Sequence, residues 1–362
     1  MSPALRRHAP LVLVALLVLY PLLPFLDWAV TAIFGVRLQL DRQIINVMIF
    51  AILALALNLQ VGYAGLLQLG IAAFFAIGAY TTGILTVDKY PFQLGFAGAL
   101  LCAPVVAGLF GLLLGAPTIR LRGDYLAIVT LGFGEMTRVV ILNLENITDG
   151  PRGLNPIPGP VLPDWIRDGL DRFLPADRID LAAIHWIVLA ALVGLLILMK
   201  NLERSRAGRA LVALREDELV SGCMGIDPAR TKLTAFAGGA AIAGLAGALY
   251  ATNLRTTAEP NTYDFSYSIM VLCCLIIGGL GSLRGVVLGA LVLLSFDNLV
   301  SPLLTRALQE QLGHDSTSVF ANFANWRWLI FGGALILMMR FRPGGLWPAR
   351  KREVDPATKA GA

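Results

Sequence analysis

The sequence predicts an all-α, polytopic helical membrane protein with about ten transmembrane helices and both termini in the cytoplasm. Three observations carry that expectation. Of 362 residues, 57% are hydrophobic and 15% charged, and mean hydropathy is +0.72, well above that of a water-soluble domain of this length. The apolar residues gather into runs near the roughly 20 needed to cross the hydrocarbon core. Lys and Arg divide unevenly between alternate connections, 18 on one side and ten on the other with Arg138 inside a span, which puts the richer side and both ends in the cytoplasm. The same distribution explains the net charge of +5 without nucleic acid.

Ten apolar runs stand between charged or Pro/Gly-rich breaks: 11–26, 44–60, 66–87, 93–116, 125–144, 183–199, 233–252, 267–281, 285–301 and 326–339. The chain thus divides into spans one to five (1–144), an extracytoplasmic loop (145–182), span six (183–199), a cytoplasmic loop (200–232), spans seven to ten (233–339) and a basic cytoplasmic tail (340–362). Span one follows Arg6 and Arg7 as a signal peptide does, but Pro21, Pro24 and Asp27 follow it with no A-x-A site, so it reads as a retained anchor. Spans two and three meet at NLQVGYAGLLQLG. There Gly62, Gly65 and Gly70 permit an unwound connection and Asn58, Gln60 and Gln68 supply amides, as in broken helices that bind a zwitterion; a plain tight turn is the alternative. Before span five, Arg120 and Arg122 precede Asp124, which is placed to cap the helix.

Within span five, Glu135 and Arg138 lie three apart on one face and are expected to pair, since an isolated charge there costs at least about 2.5–3.5 kcal/mol. Either they line a substrate route or they clamp helices together. The segment 145–182 contains Pro151, Pro156, Pro158, Pro160 and Pro163, cannot be one helix, and reads as an outer lid or docking surface. In 200–232, Asp217 can cap a short helix with Leu219, Val220, Cys223 and Met224 on one face and Gly225 ending it; the alternative is a solvated loop. Glycines in 238–248 and 278–290 read as close helix packing. Asp297 in span nine needs a partner on another helix, an aqueous cavity or the outer surface. Tyr263, Phe265 and Tyr267 before span eight, and Trp326 and Trp328 before span ten, read as interfacial anchors.

Catalytic and cofactor chemistry finds no purchase. Cys102, Cys223, Cys273 and Cys274 have no CxxC or CxxH spacing, and His8, His185 and His314 are far apart, so neither a disulfide framework nor a metal site is expected. There is no GxxxxGK[ST], GxSxG or HExxH. The expectation is no enzyme, no cofactor and no metal, with any ATP hydrolysed by another subunit.

Several segments resemble the permease subunits of ABC importers for branched-chain amino acids, of the LivM type. They are GYAGLLQLGIAAFFAIGAY (62–80), RLRGDYLAIVTLGFGEMTR (120–138), TDGPRGL (148–154), SRAGRALVALREDELVSGCMGID (205–227), KLTAFAGGAAIAGLAGALYA (232–251), GGLGSLRGVVLGA (278–290) and FRPGGLW (341–347). The resemblance implies a multi-pass protein of the bacterial inner membrane. Its implied partners are a second, LivH-like permease, two ATP-binding subunits and an extracytoplasmic substrate-binding protein. It implies that Arg215, Glu216, Asp217, Glu218, Leu219, Val220, Met224 and Gly225 belong to a coupling helix seated on an ATPase. Gln68 and Ile71 stand where the family often has Ser and His, which leaves urea or short amides open as cargo. Reading the residues alone leaves a second class open, a secondary transporter with Glu135, Arg138 and Asp297 as an ion relay.

Overall fold

The computed structural model describes residues 40–91, 93–119, 121, 123–160, 167, 176–302, 305 and 326–348. The expected first span, Arg120, Arg122, His8, His314 and the tail from 349 lie outside the described residues. All regular elements among the described residues are helical. Five helices are long and apolar enough to cross a membrane, and two shorter ones are equally apolar.

Helix α1, Leu40–Leu57, continues as a π-helical turn, Asn58–Tyr63. After a non-helical stretch the chain enters α2, Ile71–Thr86, then α3, Gly95–Thr118, and α4, Asp124–Asn143. Helix α5, Ala176–Arg204, leads to α6, Arg206–Glu216, and α7, Glu218–Cys223. Then come α8, Pro228–Leu254, α9, Phe265–Gly278, α10, Leu283–Ser295 with a π-helical extension Phe296–Val300, and α11, Arg327–Phe341. Helix α5 begins seven residues before the expected end of the 145–182 loop.

At about 1.5 Å per residue, α2 and α9 are only about 24 and 21 Å long, short of the roughly 30 Å hydrocarbon thickness. Each is preceded by chain outside the α-helices, 64–70 before α2 and 255–264 before α9, the latter holding a short 3-10 turn at Pro260–Tyr263. The two breaks come from opposite ends of the bundle. One end, here the basic end, gathers Tyr63, α6, Gly281 and Gly344 around one cavity. The other end is stitched by Ile157 N–H to the Arg255 carbonyl (2.9 Å), Leu154 N–H to Thr257 Oγ1 (2.8 Å), and Arg255 to Asp180 (2.8 Å).

Close approach of α2, α3 and α8 forms the centre. A β-carbon at Gly78 would overlap the Gly244 carbonyl oxygen, one at Gly247 the Phe75 carbonyl oxygen, and one at Gly244 the Ala107 side chain. Lipid tails are as apolar as the side chains they touch, so association rests on such packing and on interhelical hydrogen bonds. By contrast α4 is peripheral, with Tyr125, Ile128, Met136 and Val140 exposed along it.

Two expectations are corrected. Asp124 does not cap α4: Gly123 occupies the cap with φ +56° and no side chain caps it, leaving Asp124 as the acidic first residue of the helix. Tyr263 is not an interfacial anchor but a core residue, and Tyr267 is half-buried against the core. Tyr263 is buried against Phe75 and Tyr80, with ring centroids 5.7 and 6.2 Å away, and Tyr267 lies 5.3 Å from Phe50, because the break before α9 dips into the bundle.

Candidate functional site

The break between α1 and α2 is built from its amides. A π-turn is rare and clusters at functional positions. Asn58 Oδ1 accepts from the Gly281 N–H at 2.9 Å, and Gln60 Nε2 donates to the Phe236 carbonyl at 3.3 Å. Gly62 has to be glycine, since its β-carbon would strike Asn58 Oδ1. Asn58, Gln60 and Gln68 are all buried, yet Asn58 Nδ2, Gln60 Oε1 and both amide atoms of Gln68 have no hydrogen-bond partner among the described residues. Buried polar atoms in that condition cost about 1–3 kcal/mol each.

Beyond this break, α2 and α9 start beside one another. The Leu69 N–H binds Thr130 Oγ1 of α4 at 3.1 Å, and the Ala72 N–H binds Ser268 Oγ of α9 at 3.2 Å. Asp264 caps α9, accepting from Tyr267 N–H at 3.2 Å and Ser266 Oγ at 2.8 Å. Between them is a gap of about 10 Å³, lined by Leu69, Ala72, Gly134, Glu135, Asp264 and Ser268. That is room for about one water. Two helix N-termini and two carboxylates thus face one small space, the first able to hold an anion and the second a cation.

Glu135 belongs to this junction; Arg138 secures it. Arg138 Nε lies 2.9 Å from Glu135 Oε2, and its Nη1 donates to Asn261 Oδ1 at 2.8 Å, tying α4 to the segment before α9. The pair is partly exposed on the flank of the chain, 39% for Glu135 and 27% for Arg138. Asp297 stands apart, 3.2 Å from Arg327, whose guanidinium lies over the Trp328 ring at 5.1 Å. The six path residues expected from sequence therefore occupy three places: the amide break, the half-helix junction, and the α10–α11 ion pair. Thr130, Asn261, Asp264 and Ser268 were not anticipated. Asp264 two and three residues before Ser266 and Tyr267 is a legible cap signal, whereas Ser268 and Thr130 have none.

At the basic end, Asp217 Oδ1 accepts from the N–H groups of Leu219 (2.8 Å) and Val220 (3.1 Å), starting α7, and Gly225 follows it with φ +83°. Leu219, Val220 and Met224 are 70, 59 and 79% exposed, and Cys223 is exposed beside them. Glu216 and Asp217 are exposed as well. Glu218 instead turns to Lys232, with Nζ to Oε1 at 2.8 Å, and Arg215 donates to the Gly62 carbonyl. At the opposite end Lys89 pairs with Asp149, whose hydrogen bond raises the lysine pKa. Among the described residues, no group of three His, Cys, Asp or Glu side chains is placed to hold a metal, and the four cysteines are free thiols.

The chain matches the family model described as branched-chain amino acid transport system / permease component over residues 39–339. It is 39% identical over 321 residues to the high-affinity branched-chain amino acid transport system permease protein LivM of Escherichia coli (strain K12), covering 85% of this chain and 69% of that one. It is 25% identical over 345 residues to the probable LivM permease of Methanocaldococcus jannaschii, covering 86% and 94%. Identity to the permease protein LivH of Escherichia coli (strain K12) is 24% over 254 residues, covering 67% and 79%. No solved structure matches.

Proposed function

The chain belongs to the family of branched-chain amino-acid transport permease components, and from that premise we propose that it moves branched-chain or similar hydrophobic amino acids inward across the bacterial inner membrane, driven by ATP hydrolysed on separate subunits. In this reading it pairs with a second, LivH-like permease, receives substrate from an extracytoplasmic binding protein, and has its basic end in the cytoplasm.

The observation that carries the reading is α7. A six-residue helix fixed at its start by Asp217 and at its end by Gly225 presents Leu219, Val220 and Met224 outward. Apolar side chains at such exposure beside charged Glu216 and Asp217 suit a protein groove. Docking in a groove of an ATP-binding subunit accounts for an apolar knob held out on otherwise charged chain. The substrate path is placed at the α2–α9–α4 junction, where helix N-termini face a carboxylate group and Glu135 and Asp264 face an ammonium. Its gap of about 10 Å³ is too small to hold an amino acid, so in this reading the junction widens during transport. Glu135 and Arg138 are partly exposed on the flank, so their side of α4 is assigned to the interface with the second permease, which would shield the pair from lipid.

An ion relay finds less support, because Asp297 pairs with Arg327 at a place apart from the Glu135–Arg138 pair. The test is docking. Leu219→Asp and Met224→Asp are expected to leave the protein inserted and paired with its partner permease while abolishing co-purification of the ATPase. An ATPase retained by both variants, with parental uptake, would remove α7 as the coupling element.

A further inference from the structure

Arg215 lies in the last turn of α6, and although the residue is exposed its guanidinium reaches back to the break after α1. Nη1 donates at 2.5 Å to the carbonyl of Gly62, near the end of the π-helical turn of α1. The last carbonyls of a helix lack intrahelical donors and carry the negative end of its dipole, so a guanidinium is the fitting partner. The stem of Arg215 lies over Gly65: a β-carbon there would sit 2.9 Å from Arg215 Cγ, and Gly65 holds φ +69°. Backbone conformation and side-chain contact both require glycine beneath this arginine.

The adjacent helix is held to a different body. Glu218, the first residue of α7, meets Lys232 at 2.8 Å, and Lys232 also donates to the Ile119 carbonyl at 3.3 Å. That contact joins α7 to the foot of α8 and the end of α3, two helices whose glycines and alanines leave no room to slide. The α6–α7 pair therefore rests on the tight core through Glu218 and on the broken segment through Arg215. The broken segment is where spare polar capacity collects: Asn58 Nδ2, Gln60 Oε1, Tyr63 OH and both Gln68 amide atoms are buried without partners among the described residues. From Gly62 it runs through 64–70 to Leu69, whose N–H grips Thr130 beside the gap at Glu135.

We propose that Arg215 is a strut rather than a docking contact: it transmits displacement of α7 to the Gly62 carbonyl, and through 64–70 to the start of α2, while Glu218–Lys232 holds the fulcrum. The proposal rests on the reading that α7 docks an ATPase. It makes Arg215 a positioning residue, whose loss separates ATP hydrolysis from transport without separating the subunits.

The test uses the whole complex in proteoliposomes, with radiolabelled leucine and its binding protein outside. Arg215→Met keeps the stem over Gly65 and deletes the hydrogen bond. The ATPase subunits are expected to co-purify at parental stoichiometry and to hydrolyse ATP within about twofold of the parent. Leucine moved per ATP is expected to fall at least about tenfold, the scale of one charge-assisted hydrogen bond. A merely structural role would lower hydrolysis and uptake together and leave the ratio unchanged, and that result overturns the strut. Loss of the ATPase from Arg215→Met also overturns it, by making Arg215 a docking contact, and leaves the docking reading standing. Failure of the docking reading is read separately, from Leu219→Asp keeping its ATPase. Should Arg215→Met fail to accumulate in the membrane, Arg215→Gln, too short to reach Gly62, is judged by the same ratio.

Discussion

Removing Glu218 strands an ammonium. Lys232 Nζ has two partners, Glu218 Oε1 at 2.8 Å and the Ile119 carbonyl at 3.3 Å, and its side chain is 5% exposed. Breaking a fully buried ion pair from one side costs about 3–5 kcal/mol. Glu218 is itself 24% exposed, so solvent softens the loss, and about 3 kcal/mol is the expected cost of Glu218→Ala. Lys232→Met leaves a carboxylate that can rehydrate, and should cost about 1 kcal/mol, the lower end for a lost charged hydrogen bond. The double variant removes both charges and is expected near the milder single, a coupling of about 2–3 kcal/mol. Equilibrium unfolding of the purified protein in mixed micelles, titrated with sodium dodecyl sulfate, reads all four species. Additive losses in the double variant would show that the two side chains do not interact and that α7 is not anchored to α8.

Three further outcomes follow from the same geometry. Gly247→Leu is expected to abolish assembly of the bundle, because its first side-chain carbon already meets the Phe75 backbone, whereas Gly332→Leu, with nothing within 4 Å, is expected to accumulate as the parent does; trypsin resistance in membranes distinguishes them. Glu135→Gln and Arg138→Met are each expected to lower uptake by leaving a charge unpaired at the flank of α4, and the combined change to be milder than either; additive losses would argue against the pair. Reporter fusions at residues 165 and 215 are expected to signal from outside and inside respectively, and signals from one side would refute the orientation.

The sequence revealed most where physics is local. Apolar runs matched to helical length place α1, α3, α4 and α8 within a few residues, while α5 begins seven residues before the run at 183–199, and Asp217 and Gly225 mark the ends of α7 because caps are read from the residues that make them. It revealed less where a run is apolar for tertiary reasons. Residues 66–70 continue the hydrophobicity of α2 but are not helical, since Leu69 and Gly70 lie against Thr130 of α4. Aromatics at 263 and 267 carry the composition of a membrane interface, yet a re-entrant break packs them against Phe75 and Phe50. Asp297 finding Arg327, and Arg215 finding the Gly62 carbonyl, are pairings between residues 30 and 153 positions apart, which no periodicity within one helix encodes. The half-helix junction follows the same rule: Glu135 stands out as a charge in an apolar span, while Thr130 and Ser268 are small polar residues of a kind common in membrane helices.

Under the proposed function, transport is powered by ATP hydrolysed on another subunit. The direct measurement is leucine accumulation in proteoliposomes containing the chain, its partner permease and the ATPase subunits, with binding protein outside and ATP or no nucleotide within. Accumulation that requires internal ATP, survives collapse of proton and sodium gradients, and is competed by isoleucine and valine but not by urea is the predicted result. Uptake by the chain without the ATPase, driven by an imposed ion gradient, would contradict it.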